Sequence, residues 1–336
     1  MRPAPQLIVL TIGQGLAGGL AVAFAALWSI HPTSATVADT LVLMALAAAG
    51  IGGIASVFHM HHMQAARYIL RRLKTSWLSR EALTTAWFGG ALAVLAVWTL
   101  FIPEKGTGYL VWLWLTVALG LLAMWVTAML YATIPAVLSW HTPVTVLSLL
   151  SVGLLSGGAA AGIAAPFDAP PYQVFVVALM VLAVWTLLVK GLHWRHFHEA
   201  HGRLRAETGT GLPFAPYRLQ DTGTTKPPYR TQTQVAPIIP DHMRHTATAT
   251  VVVLMVLAPV LFLILTLTAH VRAWSIIAAI AVLVGAVAER WLFFADATHS
   301  SRVFFVDESR HPARVGTVQT AARRAVKRTQ PPTVSQ

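Results

Sequence analysis

The amino-acid sequence predicts an all-α, polytopic membrane protein, built as a bundle of eight transmembrane helices with both termini on the same side. Of its 336 residues, 56% are hydrophobic and only 11% are charged, whereas soluble domains carry roughly 25% charged residues. A helix needs about 20 apolar residues to cross the hydrocarbon core of a bilayer, and about eight stretches of the chain meet that length. An even number of crossings returns the chain to the side on which it began.

The predicted spans are joined by short connections, with one long exception. They are Leu7–Ile30, Thr36–Phe58, Ala82–Ile102, Tyr109–Ile134, Pro143–Ala165, Tyr172–Leu192, Ala247–His270 and Ala273–Phe294. Small residues in the first two spans, in the runs G-Q-G-L-A-G-G and A-A-A-G-I-G-G-I-A, allow helix backbones to approach closely in lipid. Tryptophans gather near many span ends, where an interfacial belt of aromatic residues is expected.

Four regions follow from this pattern. Residues 1–192 hold spans one to six together with the connecting segment 59–81, and residues 247–300 hold spans seven and eight. Residues 193–246 are rich in Pro, Thr, Gly and Arg, a composition that cannot bury a core of its own, and we interpret them as a polar cytoplasmic loop. Residues 301–336 are predicted to form a basic, disordered tail.

The formal net charge of +12 is unevenly distributed between the two sides of the predicted bundle. The side with both termini carries Arg2, Arg67, Arg71, Arg72, Lys74, Arg80 and the basic residues of the tail, whereas the other side keeps little more than Lys105 and Arg272. The positive-inside rule therefore predicts cytoplasmic termini, with basic loops against lipid headgroups or a partner, and no nucleic-acid binding. Cysteine is absent, which excludes disulfides, thiolate metal sites and iron–sulfur ligands in this chain.

The segment from Phe58 to Glu81 holds the strongest candidates for chemistry. His59 ends span two and Glu81 begins span three, and because consecutive helices on a short loop pack antiparallel, both residues are predicted at the same membrane face. A neutral imidazole can hydrogen-bond a quinol hydroxyl, and a carboxylate at the water boundary can accept protons. Two structural alternatives stay open: His59 only caps its helix, or Glu81 is a first-turn acid behind an N-cap in Ser79-Arg80-Glu81.

Further histidines invite a metal-site interpretation, which the pattern does not favour. His61 and His62 crowd the helix end next to His59, where a proton relay or a quinone clamp is an alternative to a metal. His193, His196, His198 and His201 spread over a wide arc if the helix continues at about 100° per residue. We therefore interpret the second group as a solvated helix extension or a partner contact.

Several stretches carry a family resemblance. The run F-H-M…R-R-L-K-T-S-W-L-S-R-E at Phe58–Glu81 resembles the signature of the membrane anchor subunit of the anaerobic dimethyl sulfoxide reductase family. I-G-Q-G-L-A-G-G at Ile12–Gly19 is similar to the first-helix motif of that family, L-Y-A-T-I-P…W-H-T-P at Leu130–Pro143 to the region after its fourth helix, and E-R-W-L-F-F at Glu289–Phe294 to its last helix. The resemblance covers most of the membrane part but not the loop after span six or the tail.

The resemblance implies a haem-free membrane anchor in the inner membrane of a prokaryote. Such a subunit oxidises menaquinol or ubiquinol and passes the electrons to a four-cluster iron–sulfur subunit, which feeds a molybdopterin catalytic subunit. No haem or iron–sulfur cluster is expected in the anchor itself. Carried over by motif, the catalytic residues are His59 and Glu81, and the quinol-binding residues are Gln14, His62, Arg67, Tyr131 and Arg290.

The motifs also depart from the family pattern in several places. His61 and Met63 stand where the family commonly has Gly and Pro, Met129 replaces an Arg, and Ala286 replaces a Glu, with Glu289 adjacent to the arginine instead.

Two other functions are weighed against the quinol anchor. A b-type cytochrome needs histidines deep in two facing helices, but nearly all histidines here lie at predicted span ends. A transporter usually has broken helices or charged residues within its spans, and the predicted spans are almost free of charge.

Overall fold

The computed structural model describes residues 1–59, Tyr68, 71–165, 171–203 and 239–304, and the described part of the protein is helical. Its helices are α1 (Pro5–Ile30), α2 (Ala35–His59), α3 (Trp77–Phe101), α4 (Thr107–Ala132), α5 (Pro143–Ala164), α6 (Pro171–Arg203), α7 (Asp241–Ala269) and α8 (Arg272–Ala295), followed by a 3₁₀ turn, Ser300–Phe304. In these ranges, eight helices are long and apolar enough to cross a membrane. The predicted all-α, eight-span fold is confirmed.

Three helices extend beyond the predicted apolar spans into polar sequence. α3 begins at Trp77 rather than Ala82, and α7 begins at Asp241 rather than Ala247. α6 continues to Arg203, so the predicted boundary between residues 192 and 193 falls inside a helix. His193 and Phe197 on this extension are buried, which contradicts the interpretation of His193 as part of a solvated segment.

The first helix lies at the centre of the bundle, and small residues bring its neighbours close. α1 packs against α2, α4 and α5. A Cβ atom added at Gly13 would lie 2.7 Å from the Ala48 carbonyl oxygen in α2, and one added at Gly157 in α5 would overlap the backbone of Gly19. The small-residue runs therefore form helix interfaces, as predicted.

The seventh span contains a local irregularity. Its α-helical pieces, Asp241–Val252 and Ala258–Ala269, are joined by a π-helical turn at Val253–Leu257. Pro259 lies two residues after this turn, and proline both lacks an N–H and clashes with the carbonyl four residues before it. The π turn accommodates that clash without ending the helix.

The first residue and the last long helix meet at one end of the bundle. The Met1 ammonium group donates a hydrogen bond to the carbonyl oxygen of Ala295, the last residue of α8, at 2.9 Å. We call this end of the bundle the amino-terminal face. Because the spans alternate in direction, α2, α4, α6 and α8 end there, and α3, α5 and α7 begin there.

Candidate functional site

Glu81 lies inside the bundle rather than at a solvated helix start. Ser76 caps α3, and its hydroxyl accepts a hydrogen bond from the backbone N–H of Ser79 at 3.3 Å. This cap places Glu81 beyond the first turn, with only 6% of its surface exposed. The alternative of a first-turn acid capped at Ser79 is therefore wrong, and Glu81 needs another partner for its buried carboxyl group.

That partner is Thr127 in α4, which also reaches Gln14 in α1. The Thr127 hydroxyl lies 2.8 Å from Glu81 Oε1 and 2.8 Å from Gln14 Oε1. On its other side, Gln14 Nε2 donates to the Thr85 hydroxyl at 3.1 Å. Three helices thus meet through one hydrogen-bonded file, which runs from Glu81 through Thr127 and Gln14 to Thr85.

This file suits both protonation states of Glu81. Thr127 has one hydrogen to donate and two oxygens beside it. If the Glu81 carboxyl is protonated, it donates to Thr127, which in turn donates to Gln14. If Glu81 is ionised, Thr127 donates to it, and a half-turn of the Gln14 amide, which exchanges its O and N atoms, offers Nε2 to Thr127. A proton can therefore enter or leave Glu81 without displacing a helix.

A small cavity adjoins the file. Gln14, Thr127 and Arg290 line it together with residues of α5 such as Gly153 and Ser156, and its volume is about 20 Å³. A space of that size holds about one water molecule. Two predicted site residues, Gln14 and Arg290, thus line the same cavity as Thr127, the partner of Glu81.

Arg290 belongs to a buried charged cluster that links α6 and α8. Its Nε donates to Glu289 Oε2 at 2.5 Å, and Lys190 Nζ donates to Glu289 Oε1 at 2.6 Å. All three side chains are 3% exposed or less. Arg290 Nη2 is buried and has no hydrogen-bond partner among the described residues.

His193 completes this cluster on the side of α5. Lys190 Nζ also lies 3.2 Å from the Ser148 hydroxyl and 3.4 Å from His193 Nδ1, while His193 Nε2 lies 3.0 Å from the Thr145 hydroxyl. The Thr145 hydrogen is donated to the Trp140 carbonyl, so His193 Nε2 must donate to Thr145. This assigns a neutral imidazole whose Nδ1 accepts from the Lys190 ammonium.

Tyr131 stands at the same face within an aromatic cluster. Its ring packs edge-on against Trp140 and Phe293, with ring centroids 5.2 and 5.5 Å apart. Trp140 stacks on Phe293 and donates from Nε1 to its carbonyl oxygen at 3.1 Å. The segments at Leu130–Pro143 and Glu289–Phe294, both marked by the resemblance, therefore pack against each other.

The predicted site residues thus fall into three groups. Gln14, Glu81 and Arg290 surround one file and its cavity, with Tyr131 nearby. The backbone of His59 ends α2 at the same face, and its side chain lies outside the described residues, as do His62 and Arg67. Sequence reasoning missed Thr127, Lys190 and His193 as members of this site. Lys190 and Glu289 did carry a signal, because a charge inside an apolar span marks a functional or paired group.

The described part of the protein gives no support for a metal site. There, no group of three or more His, Asp or Glu side chains is arranged to hold an ion. His61 and His62 lie outside that part.

Comparison with known proteins decides the family. The model of the family described as DMSO reductase anchor subunit (DmsC) matches residues 1–295. The chain belongs to the DMSO reductase anchor subunit family. It is also 33% identical over 173 residues to the C subunit of the sulfite dehydrogenase of Allochromatium vinosum, a match that covers 46% of this chain and 52% of that protein. The chain thus spans about half the length of the curated relative that it matches. As a member of the anchor family with eight spanning helices, it is a multi-pass membrane protein.

Proposed function

We propose that this anchor subunit oxidises quinol at the amino-terminal face and passes the electrons to a four-cluster iron–sulfur subunit, which feeds a molybdopterin catalytic subunit. The observation that carries the proposal is the buried Glu81 carboxyl, joined through Thr127 to Gln14 beside the cavity that Arg290 lines. Buried ionisable groups in a membrane are costly and generally serve a function.

The chemistry requires that two protons and two electrons leave each quinol. Glu81 accepts a proton, because its hydrogen-bonded file stays satisfied in both protonation states. His59 is placed at the end of α2, on the same face as Glu81, where its imidazole would hydrogen-bond the quinol. The electrons leave directly from the quinol to the iron–sulfur subunit, so this face must contact that partner.

The cavity sets a condition on binding. At about 20 Å³ it accommodates one water-sized group and not a quinone ring. The head group of menaquinol or ubiquinol therefore enters from the amino-terminal face, with one oxygen directed into the cavity and with local rearrangement of the helix ends.

The orientation of the protein in the membrane is part of the proposal. Arg71, Arg72 and Lys74 lie at the amino-terminal face, and the described part of the opposite face carries Lys105 and Arg272. The positive-inside rule favours cytoplasmic termini in the inner membrane of a prokaryote. A reporter fused after the last helix tests this assignment, and activity of a periplasmic-only reporter would reverse it.

A binding experiment tests the quinol site itself. Membranes with the full complex are titrated with a hydroxyquinoline N-oxide, an analogue of quinol, and quinol oxidation is measured in parallel. His59→Ala and Glu81→Gln should abolish oxidation and weaken binding, whereas Glu104→Gln, at an exposed glutamate of the opposite face, should change neither. Full oxidation rates in both site variants would refute the proposal.

The reverse electron flow is a second candidate, favoured by the name of the relative, which belongs to a sulfite dehydrogenase. A dehydrogenase releases electrons from its substrate, and an anchor of that kind would reduce quinone and draw protons through Glu81. Assays of the intact complex in both directions decide between the two.

A further inference from the structure

The cluster around Lys190 leaves one buried positive charge unbalanced. Two cations, Lys190 and Arg290, share the single carboxylate of Glu289. The ammonium group has an acceptor for each of its three hydrogens: Glu289 Oε1, Ser148 Oγ and His193 Nδ1. Both oxygens of Glu289 are likewise occupied. The unsatisfied group is therefore Arg290 Nη2, which is buried without a partner among the described residues.

Arg290 lines the cavity together with polar groups of α1 and α4. Gln14 contributes an amide and Thr127 a hydroxyl, and Glu81 stands directly behind Thr127. The free volume of about 20 Å³ admits a single oxygen-sized group. A guanidinium N–H in a site of low dielectric constant binds a charged oxygen more strongly than a neutral one.

We propose that this cavity binds the anionic oxygen of a singly deprotonated quinol, and that Lys190 is a positioning residue for it. Lys190 acts through Glu289, which it holds by one oxygen while the other oxygen orients Arg290. The inference rests on the proposed quinol function and adds the ionisation state of the substrate and the residues that set it.

Protons and electrons balance in this step. The O–H bond of the quinol oxygen in the cavity breaks, and its proton goes to the Thr127 hydroxyl as Thr127 gives its own proton to the Glu81 carboxylate. The quinol oxygen keeps the electron pair as a quinolate beside Arg290. The quinolate then gives two electrons, one at a time, to the iron–sulfur subunit and releases its second hydroxyl proton toward the amino-terminal face. The product is neutral quinone. Because it carries no negative charge for Arg290 to bind, it can leave the site.

The test compares two ligands that differ by one oxygen. A hydroxyquinoline N-oxide offers an anionic oxygen, and the matching hydroxyquinoline lacks it. Binding of each is measured by equilibrium dialysis on membranes that contain the full complex, for wild type, Lys190→Met, Lys190→Arg and Ser148→Ala. Ser148→Ala removes one hydrogen bond to Lys190 but no charge, so it is the local control.

Lys190→Met should weaken binding of the N-oxide about tenfold, the scale of one charge-assisted hydrogen bond, and leave the affinity for the other ligand within about twofold. Lys190→Arg should restore the preference for the N-oxide, and Ser148→Ala should keep it. If Lys190→Met weakens binding of both ligands equally, Lys190 has only a structural role and the inference is overturned. The inference is also overturned if Lys190→Met changes the affinity for neither ligand.

Two more outcomes separate this inference from the proposed function. Competition by chloride against the N-oxide alone, with quinol oxidation unaffected, would assign the cavity to an inorganic anion and overturn the inference. If wild type binds neither ligand, the quinol function fails and the inference fails with it. If His59→Ala and Glu81→Gln abolish binding while Lys190→Met changes nothing, the quinol function stands and the inference alone is refuted.

Discussion

The shared carboxylate of Glu289 makes a testable prediction about stability. Glu289→Gln leaves the cations Lys190 and Arg290 side by side in the interior, with no anion between them. Removing one partner of a buried ion pair costs about 3–5 kcal/mol, and the remaining cations add mutual repulsion. Lys190→Met instead leaves a neutral pair, Glu289 with Arg290, and loses the hydrogen bonds of the ammonium group to Glu289, Ser148 and His193, at about 1.5–3 kcal/mol.

The double variant gives the sharpest result. Adding Lys190→Met to Glu289→Gln removes one of the two repelling cations, so the double variant should be more stable than Glu289→Gln by about 1–3 kcal/mol. Unfolding of the purified full-length protein is followed by tryptophan fluorescence in detergent. Glu104→Gln, at an exposed glutamate between α3 and α4, is the control and should change stability by less than about 1 kcal/mol.

The order of stability among these variants decides whether Glu289 holds the two buried cations. If the double variant is the least stable protein of the set, or if Glu289→Gln is no more harmful than Lys190→Met, the two cations do not depend on Glu289 and the cluster is assigned incorrectly.

Contacts elsewhere in the bundle make three further predictions. Thr127→Val should lower quinol oxidation about tenfold or more by breaking the file between Glu81 and Gln14, whereas Thr127→Ser should keep it. Thr116 is a buried threonine of α4 whose hydroxyl donates to the Trp112 carbonyl of its own helix, so Thr116→Val should leave the rate unchanged. Equal rates in all three variants would refute the file. Gly157→Ala should cost about 1–3 kcal/mol, because its Cβ overlaps Gly19, while Gly89→Ala, with open space around it, should be neutral in the same unfolding assay. Burial lowers the pKa of His299 below its usual 6.5, and its Nδ1 accepts a hydrogen bond from the Ser301 N–H. The unfolded protein therefore binds the proton more readily, and the free energy of unfolding should fall as the pH drops below about 6.5. Unfolding measured from pH 7.5 downward should show this decline, and the same decline in a His299→Gln variant would contradict the assignment.

The sequence predicts the spans well because hydropathy is a local property. Eight apolar runs correspond to eight helices, and the glycines of α1 mark its interfaces with α2 and α5. The predicted end of α6 is misplaced because polar residues there look solvated. The burial of His193 depends on Thr145, a residue of α5, and no local pattern shows which helix will cover it.

The site was predictable only in part, for the same reason. Glu81 and Gln14 are visible as polar groups in or near apolar spans. Their link is Thr127, an ordinary threonine that lies 46 residues from Glu81 and 113 from Gln14 along the sequence. Lys190 and Glu289 each resemble an isolated charge within an apolar span, and only the packing of α5 against both α6 and α8 makes them one cluster.

The distribution of charge limits what the bundle can do with protons. Within the described residues, the buried Glu, Lys, His and Arg side chains of the spans all lie toward the amino-terminal face; they are Glu81, Lys190, His193, Glu289 and Arg290. Toward the opposite face, buried hydroxyls such as Thr99 and Thr266 donate to carbonyls of their own helices, and α1 meets α5 through glycines with no room for water. Protons taken from a quinol at Glu81 would therefore leave at the face to which the electrons also go. We expect that quinol oxidation in this anchor moves no net charge across the membrane, because protons and electrons depart from the same side.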